Sequence, residues 1–170
     1  MEIDINLLQD MTQRLSVLFV EDDDDLRLQT QDLLETLFQE VITASNGKEG
    51  LEKYLEYHQK YNSNINLVIS DIMMPKMSGI DMARKMAQLN KSQQFIFISA
   101  HQDSDYLIDL IDIGITSFIS KPITLDTLKF ALYKNCLLFE GGTLQKELLY
   151  KVVEENDRLK KEIVQLKNKQ

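Results

Sequence analysis

The sequence predicts an α/β fold in which a five-stranded parallel sheet is doubly wound, with helices on both faces, and a long helix is added at the C-terminal end. Five short apolar runs alternate with five helical patterns between residues 15 and 139. The runs are apolar at successive positions, as in strands that are buried on both faces. Polar residues at the ends of consecutive runs are 28 and 22 residues apart (Asp71 to Ser99, then Ser99 to Lys121), and each interval is about the length of one β-α-β crossover.

The first two strand–helix units lie before residue 61. An apolar run at 15–20 predicts the first strand, and the helix after it has leucines at three- and four-residue spacings: Leu26, Leu33, Leu34 and Leu37. The second strand is predicted at 41–44. Asn46-Gly47 is a turn signal, and the helix predicted at 50–60 directs three side chains inward: Leu51, Tyr54 and Leu55.

The other three units follow the same order. Strands are predicted at 67–70, 95–99 and 117–120, and helices at 79–89, 105–113 and 125–139. Gly114 stops the fourth helix, and Thr124 or Asp126 is available as the cap of the last one. The apolar residues before the first strand (Ile3, Ile5, Leu7, Leu8 and Met11) predict a short helix packed on the domain or on a dimer.

Charge and composition divide the chain near Gly141-Gly142. Residues 1–142 hold 22 acidic and 12 basic residues, a net charge of −10, whereas residues 143–170 hold 5 acidic and 7 basic residues, a net charge of +2. All six glycines and both prolines precede residue 143. We therefore predict an N-terminal extension at 1–13, a domain at 14–140 and a separate helix at 143–170.

The same figures exclude several classes of protein. An apolar fraction of 44% is too high for a disordered chain, and no apolar run approaches the ~20 residues of a membrane span. The N-terminus is acidic where an export signal would be basic, and the single cysteine, Cys136, fits a reducing compartment. The net charge of −8 argues against unaided binding to nucleic acid or to an anionic membrane. The sequence thus predicts a cytoplasmic protein without direct nucleic-acid or membrane partners.

Polar residues follow four of the five predicted strands at their carboxyl ends, where open parallel sheets gather their functional groups. Residues 21–25 are all acidic, Asp71 follows the third strand, Ser99 ends the fourth and Lys121 follows the fifth. The 49 residues from Asp22 to Asp71 leave room for two units, so that strands one and three can be neighbours. A site with three carboxylates, one hydroxyl and one ammonium is predicted. Each group alone also fits a helix cap or a strand end, and it is their co-occurrence that favours a site.

The chemistry of such a cluster is restricted. Carboxylates held close together repel one another, and a divalent cation relieves the repulsion. Oxygen ligands without His or Cys select a hard ion, Mg²⁺ in a cell. A Mg²⁺ beside a lysine and a hydroxyl can hold the oxygens of a phosphoryl group in transfer, and a carboxylate can accept that group as an acyl phosphate. Nothing in the sequence supplies a nucleotide-binding loop, so the phosphoryl donor must be external.

These residues resemble the receiver domain of two-component response regulators. Val20-Glu21-Asp22-Asp23 is similar to its acidic pocket, and the segment from Asp71 to Gly79 (DIMMPKMSG) to its phosphoacceptor loop. Ser99-Ala100 is similar to its hydroxyl–small pair, Phe118 to its switch aromatic, and Lys121-Pro122 to its lysine and cis proline. The resemblance covers about residues 14–139 and implies a flavodoxin-like sheet with strand order 2-1-3-4-5, the order given for this fold in general.

The resemblance also implies roles. Asp71 would accept a phosphoryl group from a histidine kinase or phosphotransfer protein, and the domain would be no enzyme beyond its own phosphorylation and dephosphorylation. Asp22, Asp71 and the backbone carbonyl of Met73 would bind Mg²⁺, and Glu21 would hold a metal-bound water. Lys121 would pair with the phosphoryl oxygens.

A conformational switch is implied as well. Ser99 would move to the phosphoryl group while Phe118 turns inward, and this would bias the surface formed by the helix at 105–113, the fifth strand and the last helix. The sequence departs mildly from the family pattern, with Ser at 99, Glu at 21 and Asp at 24, and none of these predicts an inactive receiver.

The tail has a heptad pattern. Its a and d positions are Leu149, Val152, Asn156, Leu159, Ile163 and Leu166, preceded by Gln145. Leu at d with one Asn at a favours a parallel two-stranded coiled coil. Glu155 faces Lys160, and Glu162 faces Lys167, across such a dimer. A homodimer is therefore predicted; because three heptads is about the lower limit for this inference, a single solvated helix is the alternative.

Three functional hypotheses remain open. The chain is either a complete signalling protein whose output is dimerisation or partner binding, or part of a larger regulator whose coil relays to a missing effector such as a diguanylate cyclase or a kinase. The tail ends in charged heptad sequence without a helix stop, which favours the second. A metal-dependent phosphatase with Asp71 as nucleophile is the third hypothesis, disfavoured because Met73 stands where that chemistry needs an acid.

Overall fold

A computed structural model describes residues 3–100, 113 and 115–140; for 139 and 140 it describes the backbone alone. Two predicted elements, the coiled coil at 143–170 and all of the helix at 105–113 except Ile113, lie outside these residues. The predicted boundary near Gly141-Gly142 also lies outside them.

The five strands form one parallel sheet. They are β1 (Ser16–Val20), β2 (Glu40–Ala44), β3 (Leu67–Asp71), β4 (Gln94–Ser99) and β5 (Ser117–Ser120). Their order is β2-β1-β3-β4-β5, which confirms the predicted fold class and strand order. Because every pairing is parallel, all five strands end at the same edge of the sheet.

Five helices are described: α1 (Ile5–Thr12), α2 (Asp24–Glu35), α3 (Gly47–Tyr61), α4 (Gly79–Leu89) and α5 (Leu125–Glu140). α4 has the bounds that its sequence pattern predicts. α5 begins after Thr124, whose hydroxyl accepts a hydrogen bond from the Thr127 N–H at 3.2 Å, so Thr124 rather than Asp126 is the cap.

α3 differs from its prediction at two points. It begins three residues early, because the Asn46 side chain accepts a hydrogen bond from the Glu49 N–H at 3.1 Å and thereby caps the helix. The Asn-Gly pair is thus a helix start and not a separate turn. The prediction that Leu55 points inward is wrong, since it is 38% exposed, whereas Tyr54 is 2% exposed.

The core has two layers, one on each face of the sheet, because successive side chains of a strand point to opposite faces. Val17 and Phe19 pack in the layer under α1, α2 and α5. Leu18 and Val20 pack in the layer under α3 and α4. All five residues of β1 are buried, so the strand that leads to the acidic segment is held from both sides.

α1 lies before β1 and joins the first of these layers. Leu8 is fully buried and Ile3 is 8% exposed. The Thr12 hydroxyl lies 2.7 Å from the Leu37 carbonyl oxygen, just beyond α2, and the Lys129 ammonium of α5 donates to the Ile3 carbonyl at 3.4 Å. The N-terminal extension therefore packs against both α2 and α5.

None of the helices in the described part of the chain has the length and apolar character needed to cross a lipid bilayer.

Candidate functional site: an acidic pocket at the carboxyl edge of the sheet

The pocket is built by the ends of four strands. Glu21 and Asp22 directly follow β1, Asp71 ends β3, Ser99 ends β4 and Lys121 directly follows β5. The Glu21 N–H donates to the Ala44 carbonyl of β2 at 3.1 Å, so the pairing of β1 with β2 continues into the site. The structure thus brings together the groups that the sequence analysis assigned to one site.

Lys121 joins the two buried carboxylates of the pocket. Glu21 is fully buried and Asp71 is 6% exposed. The Lys121 ammonium donates to Glu21 Oε1 at 3.1 Å and to Asp71 Oδ2, and it lies 3.0 Å from Glu21 Oε2. One ammonium therefore faces two carboxylates, so the pocket keeps a net negative charge.

Burial and charge shift two acid–base equilibria in the pocket. Burial raises the pKa of Glu21, and the nearby negative charge of Asp71 raises it further, against the lowering effect of Lys121. Burial alone would lower the pKa of Lys121, but hydrogen bonds to Asp71 and Glu21 outweigh burial and leave that pKa raised. Lys121 is therefore a permanent cation at neutral pH.

The pocket fits a hard divalent cation. Glu21, Asp22 and Asp71 each offer a carboxylate oxygen, and these oxygens lie within 4.8 Å of one another. Asp22 is exposed, which leaves an open side for water ligands. Glu21 Oε2 is buried, and its charge partner is the Lys121 ammonium at 3.0 Å, which Glu21 shares with Asp71. An all-oxygen set in which one ammonium faces two buried carboxylates, with access to water, suits Mg²⁺.

The loop after β3 positions Asp71 and approaches the pocket with its backbone. The Met73 N–H donates to Asp71 Oδ1 at 3.2 Å, while the Met73 side chain is 56% exposed. Gly79, the first residue of α4, packs so closely on β3 that a Cβ atom there would lie 2.1 Å from the Asp71 carbonyl oxygen. That the Met73 carbonyl is a metal ligand stays a prediction.

The two predicted switch residues occupy neighbouring strands. Ser99 is 2% exposed and is paired with Ser120, and its carbonyl accepts a hydrogen bond from the Lys121 N–H at 2.8 Å. Phe118 is half-buried against the layer under α3 and α4. The Lys121-Pro122 peptide bond is cis, as the resemblance implies. The movements assigned to Ser99 and Phe118 stay predictions.

Sequence reasoning missed Arg27. Its guanidinium donates to the Glu21 carbonyl oxygen at 2.7 Å and forms an ion pair with Asp24. Asp23 caps α2 by accepting from the Leu26 N–H at 2.9 Å. The acidic residues at 21–25 therefore have three separate roles: Glu21 and Asp22 line the pocket, Asp23 caps α2, and Asp24 pairs with Arg27. The three-residue spacing of Asp24 and Arg27 was the one available signal for the ion pair.

The comparisons with known proteins agree with this geometry. The family described as "Response regulator receiver domain" matches residues 17–133. The chain belongs to that family. As a receiver domain of two-component response regulators, it has the acidic pocket in which members of the family bind Mg²⁺.

Two curated relatives and one solved structure illustrate the similarity. The chemotaxis protein CheY of Bacillus subtilis is 33% identical over 119 residues, which cover 69% of this chain and 94% of CheY. A cyclic di-GMP phosphodiesterase of Thermotoga maritima is 30% identical over 154 residues, which cover 83% of this chain. A chain from the crystal structure of a CheX–CheY–BeF₃–Mg²⁺ complex of Borrelia burgdorferi superposes with a TM-score of 0.59 at 28% identity, covering 75% of this chain and 90% of that one. This chain spans 39% of the length of the phosphodiesterase.

Proposed function

We propose that this receiver accepts a phosphoryl group on Asp71 in the presence of Mg²⁺ and thereby acts as a signalling switch. The observation that carries the proposal is the cluster of Glu21, Asp22 and Asp71, whose carboxylate oxygens lie within 4.8 Å of one another, with the Lys121 ammonium hydrogen-bonded to Asp71. A nucleophilic carboxylate, two further acids for a cation and a fixed positive charge are the parts that this transfer needs.

Each residue has a definite task in the transfer. An Asp71 carboxylate oxygen forms a bond to phosphorus while the bond from phosphorus to the donor's nitrogen or oxygen breaks, and the donor leaves with that electron pair. Lys121 exchanges its contact with Asp71 for the phosphoryl oxygens, and the Ser99 hydroxyl donates to one of them. Glu21 and Asp22 would hold the cation together with Asp71. Bound Mg²⁺ supplies positive charge that neutralises the phosphoryl oxygens during the transfer.

Acetyl phosphate tests this function without any partner. The protein incubated with Mg²⁺ and acetyl phosphate should gain the mass of one phosphoryl group, stable in acid and labile in base, and Asp71→Asn should abolish the gain. Asp32→Asn removes an exposed acid of α2 away from the pocket and should leave the gain unchanged. Phosphorylation that persists in Asp71→Asn would refute the assignment.

The proposed donor in the cell is a histidine kinase or a phosphotransfer protein, since the family accepts phosphoryl groups from such partners. Outside its own phosphorylation and dephosphorylation, we assign the domain no enzymatic activity. A cytoplasmic location belongs to the same proposal and is supported by the cysteine content of the sequence, which is a single residue, the buried Cys136.

Dimerisation through 143–170 is the proposed output, supported by the heptad positions from Leu149 to Leu166. Light scattering should give a dimer for the 170-residue chain and a monomer for a chain that ends at Gly142. A monomeric 170-residue chain would contradict the coiled coil.

An alternative is that the coil relays the receiver's state to an effector further along a longer protein, such as a diguanylate cyclase or a histidine kinase. The match to the Thermotoga maritima phosphodiesterase favours it, because 83% of this chain aligns with only 39% of that longer protein. The reading frame downstream of residue 170 decides between the two outputs.

A further inference from the structure

The segment that follows Asp71 differs in charge from the rest of the domain. Residues 72–100 contain four basic residues and one acidic residue, a net charge of +3, whereas the remainder of 1–142 contains 8 basic and 21 acidic residues, a net charge of −13. Such a contrast over 29 residues concentrates positive potential on one part of an acidic surface.

The fold gathers three of these four cations around one open groove. The groove has a volume of about 430 Å³ and lies between the loop after β3 and the outer face of α4; it is lined by Lys76, Met77, Asp81, Arg84, Lys85 and Gln88. We call the groove that these six residues line the basic groove. All of them except Met77 are exposed, and Met77 is half-buried.

The single acid of the basic groove is already engaged. The Ser78 hydroxyl donates to Asp81 Oδ2 at 2.9 Å, and Arg84 Nη1 lies 3.3 Å from Asp81 Oδ1. Lys76 and Lys85 have no carboxylate within ion-pair distance among the residues that the structure describes. Within the described part of the chain, the groove therefore presents two ammonium groups that have no carboxylate partner.

An apolar side chain completes this surface. Leu89 is 62% exposed and lies one helical turn beyond Lys85, on the same face of α4. Cations beside an exposed Leu and a half-buried Met suit a protein-binding surface, where apolar contact supplies affinity and charge supplies specificity.

We propose that the basic groove, together with Leu89, docks an acidic, leucine-bearing segment of a partner protein. Charge complementarity selects the partner: the exposed ammonium groups of Lys76 and Lys85 fit carboxylates, and the exposed Leu89 fits an apolar side chain. An anionic membrane or nucleic acid is disfavoured, because the remainder of the domain, at −13, would be repelled by an extended anionic surface. A second copy of this chain is disfavoured, because joining the groove to an acidic face elsewhere on the domain gives a head-to-tail contact, whereas most soluble homo-oligomers are two-fold dimers that join identical surfaces.

Binding of a defined acidic peptide tests the proposal on the unphosphorylated 170-residue chain, so the result is independent of Asp71. The probe is a fluorescein-labelled peptide of repeated Glu-Glu-Leu-Glu, followed by fluorescence anisotropy at low salt. The double charge reversal Lys76→Glu with Lys85→Glu should weaken binding about tenfold, since two attractive charges at exposed sites become repulsive. Leu89→Ala should weaken binding severalfold, and a Gln-Gln-Leu-Gln peptide should bind more weakly than the acidic one.

The matched control is Lys48→Glu with Lys60→Glu, which makes the same change in net charge on exposed positions of α3. It should change the affinity less than about twofold. An equal loss in both double variants would show attraction to net charge alone and would overturn the proposal, as would unchanged binding after reversal of Lys76 and Lys85. Vesicles of phosphatidylserine or duplex DNA that bind more tightly than the peptide, with the same dependence on these lysines, would also overturn it. Self-association of the protein that the peptide competes away, and that the Lys76→Glu with Lys85→Glu variant loses, would overturn the proposal in favour of a second copy.

Discussion

At the scale of single residues, the resting pocket depends on Lys121. Glu21 and Asp71 are both buried, and two buried carboxylates a few ångströms apart are unfavourable without a counter-charge. The ammonium supplies that charge in the apo state, and a cation supplies it when bound. Lys121 and Mg²⁺ would therefore compete electrostatically for the same acids, although the proposed phosphoryl transfer needs both.

Lys121→Met tests whether the ammonium both stabilises the buried carboxylates and competes with Mg²⁺ for them. Removing the ammonium should raise the affinity for Mg²⁺ about three- to tenfold, because one repulsive charge near the cation disappears. Without Mg²⁺, the free energy of unfolding at neutral pH should fall by about 2 kcal/mol, because two buried carboxylates lose their partner. Isothermal titration calorimetry and urea unfolding measure the two effects. Weaker Mg²⁺ binding in Lys121→Met would contradict this account, and Lys53→Met, on α3, should leave Mg²⁺ affinity unchanged.

At the scale of elements, the packing of α4 on β3 fixes the position of Asp71. The Gly79 N–H donates to the Ile72 carbonyl at 2.9 Å, and no side chain separates the start of the helix from the end of the strand. Glycine is needed here for close approach, since an added Cβ would lie 2.1 Å from the Asp71 carbonyl oxygen and 2.8 Å from Ser70 Oγ. The helix start must move before any larger residue fits.

Gly79→Ala should therefore lower the free energy of unfolding by about 2–3 kcal/mol, as overpacking against backbone does. It should also slow phosphorylation by acetyl phosphate, because Asp71 shifts with the strand end. Gly50→Ala is the matched control: its Cβ would meet the flexible Met82 Sδ at 2.7 Å, and alanine gains about 1 kcal/mol of helix propensity. Urea unfolding should rank Gly79→Ala as clearly the more destabilising, and the reverse order would contradict the packing argument.

The N-terminal helix α1 is tied to α2 by one buried hydroxyl. The Thr12 hydroxyl lies 2.7 Å from the Leu37 carbonyl oxygen and 2.9 Å from that of Leu8, and Thr12 is fully buried. Thr12→Val keeps the shape and removes the donor, so the free energy of unfolding should fall by about 1–2 kcal/mol. Thr36→Val removes an exposed hydroxyl that bonds the Leu33 carbonyl and should cost less than about 0.5 kcal/mol. Equal costs for both would show that α1 is not held by this bond.

At the scale of the whole molecule, the sequence predicts the parallel sheet and its functional edge from position along the chain, and the strand order from the family resemblance. Apolar runs predict buried strands, and in a parallel sheet every strand end falls at one edge; with the strand order added, Asp71, Ser99 and Lys121 fall at the ends of three successive strands of the sheet. Arg27 was not predictable as part of the pocket, because it bonds a backbone carbonyl, which leaves no pattern in the sequence. Leu55 was predicted to point inward from its spacing along the helix alone. Helical spacing does not show how wide the buried face of α3 is, and Leu55 lies beyond its edge.

Unfolding of the whole domain should depend on pH through Glu49, which joins the end of β2 to α3. Hydrogen bonds from Lys53 and Ser45 lower the pKa of Glu49 to about 2 from 4.5, and the Lys53 ammonium lies 2.7 Å from it. A lowered pKa stabilises the fold above the unfolded pKa of 4.5, and this stabilisation is lost as pH falls from about 5 to 2. Since the Glu49 side chain is 34% exposed, solvent screening reduces the contribution to about 1 kcal/mol.

Urea unfolding of Glu49→Gln should therefore show a loss of about 1 kcal/mol relative to the unsubstituted protein at pH 7, and the loss should shrink towards zero as the pH falls to about 2.5. Comparing the two proteins at each pH cancels the titration of the acidic pocket, which is common to both. Glu52→Gln changes a more exposed acid of the same helix, 4.0 Å from Lys48, and should cost less than about 0.5 kcal/mol at either pH. A loss for Glu49→Gln that stays constant from pH 7 to 2.5 would mean that packing, and not the charge of the carboxylate, connects β2 to α3.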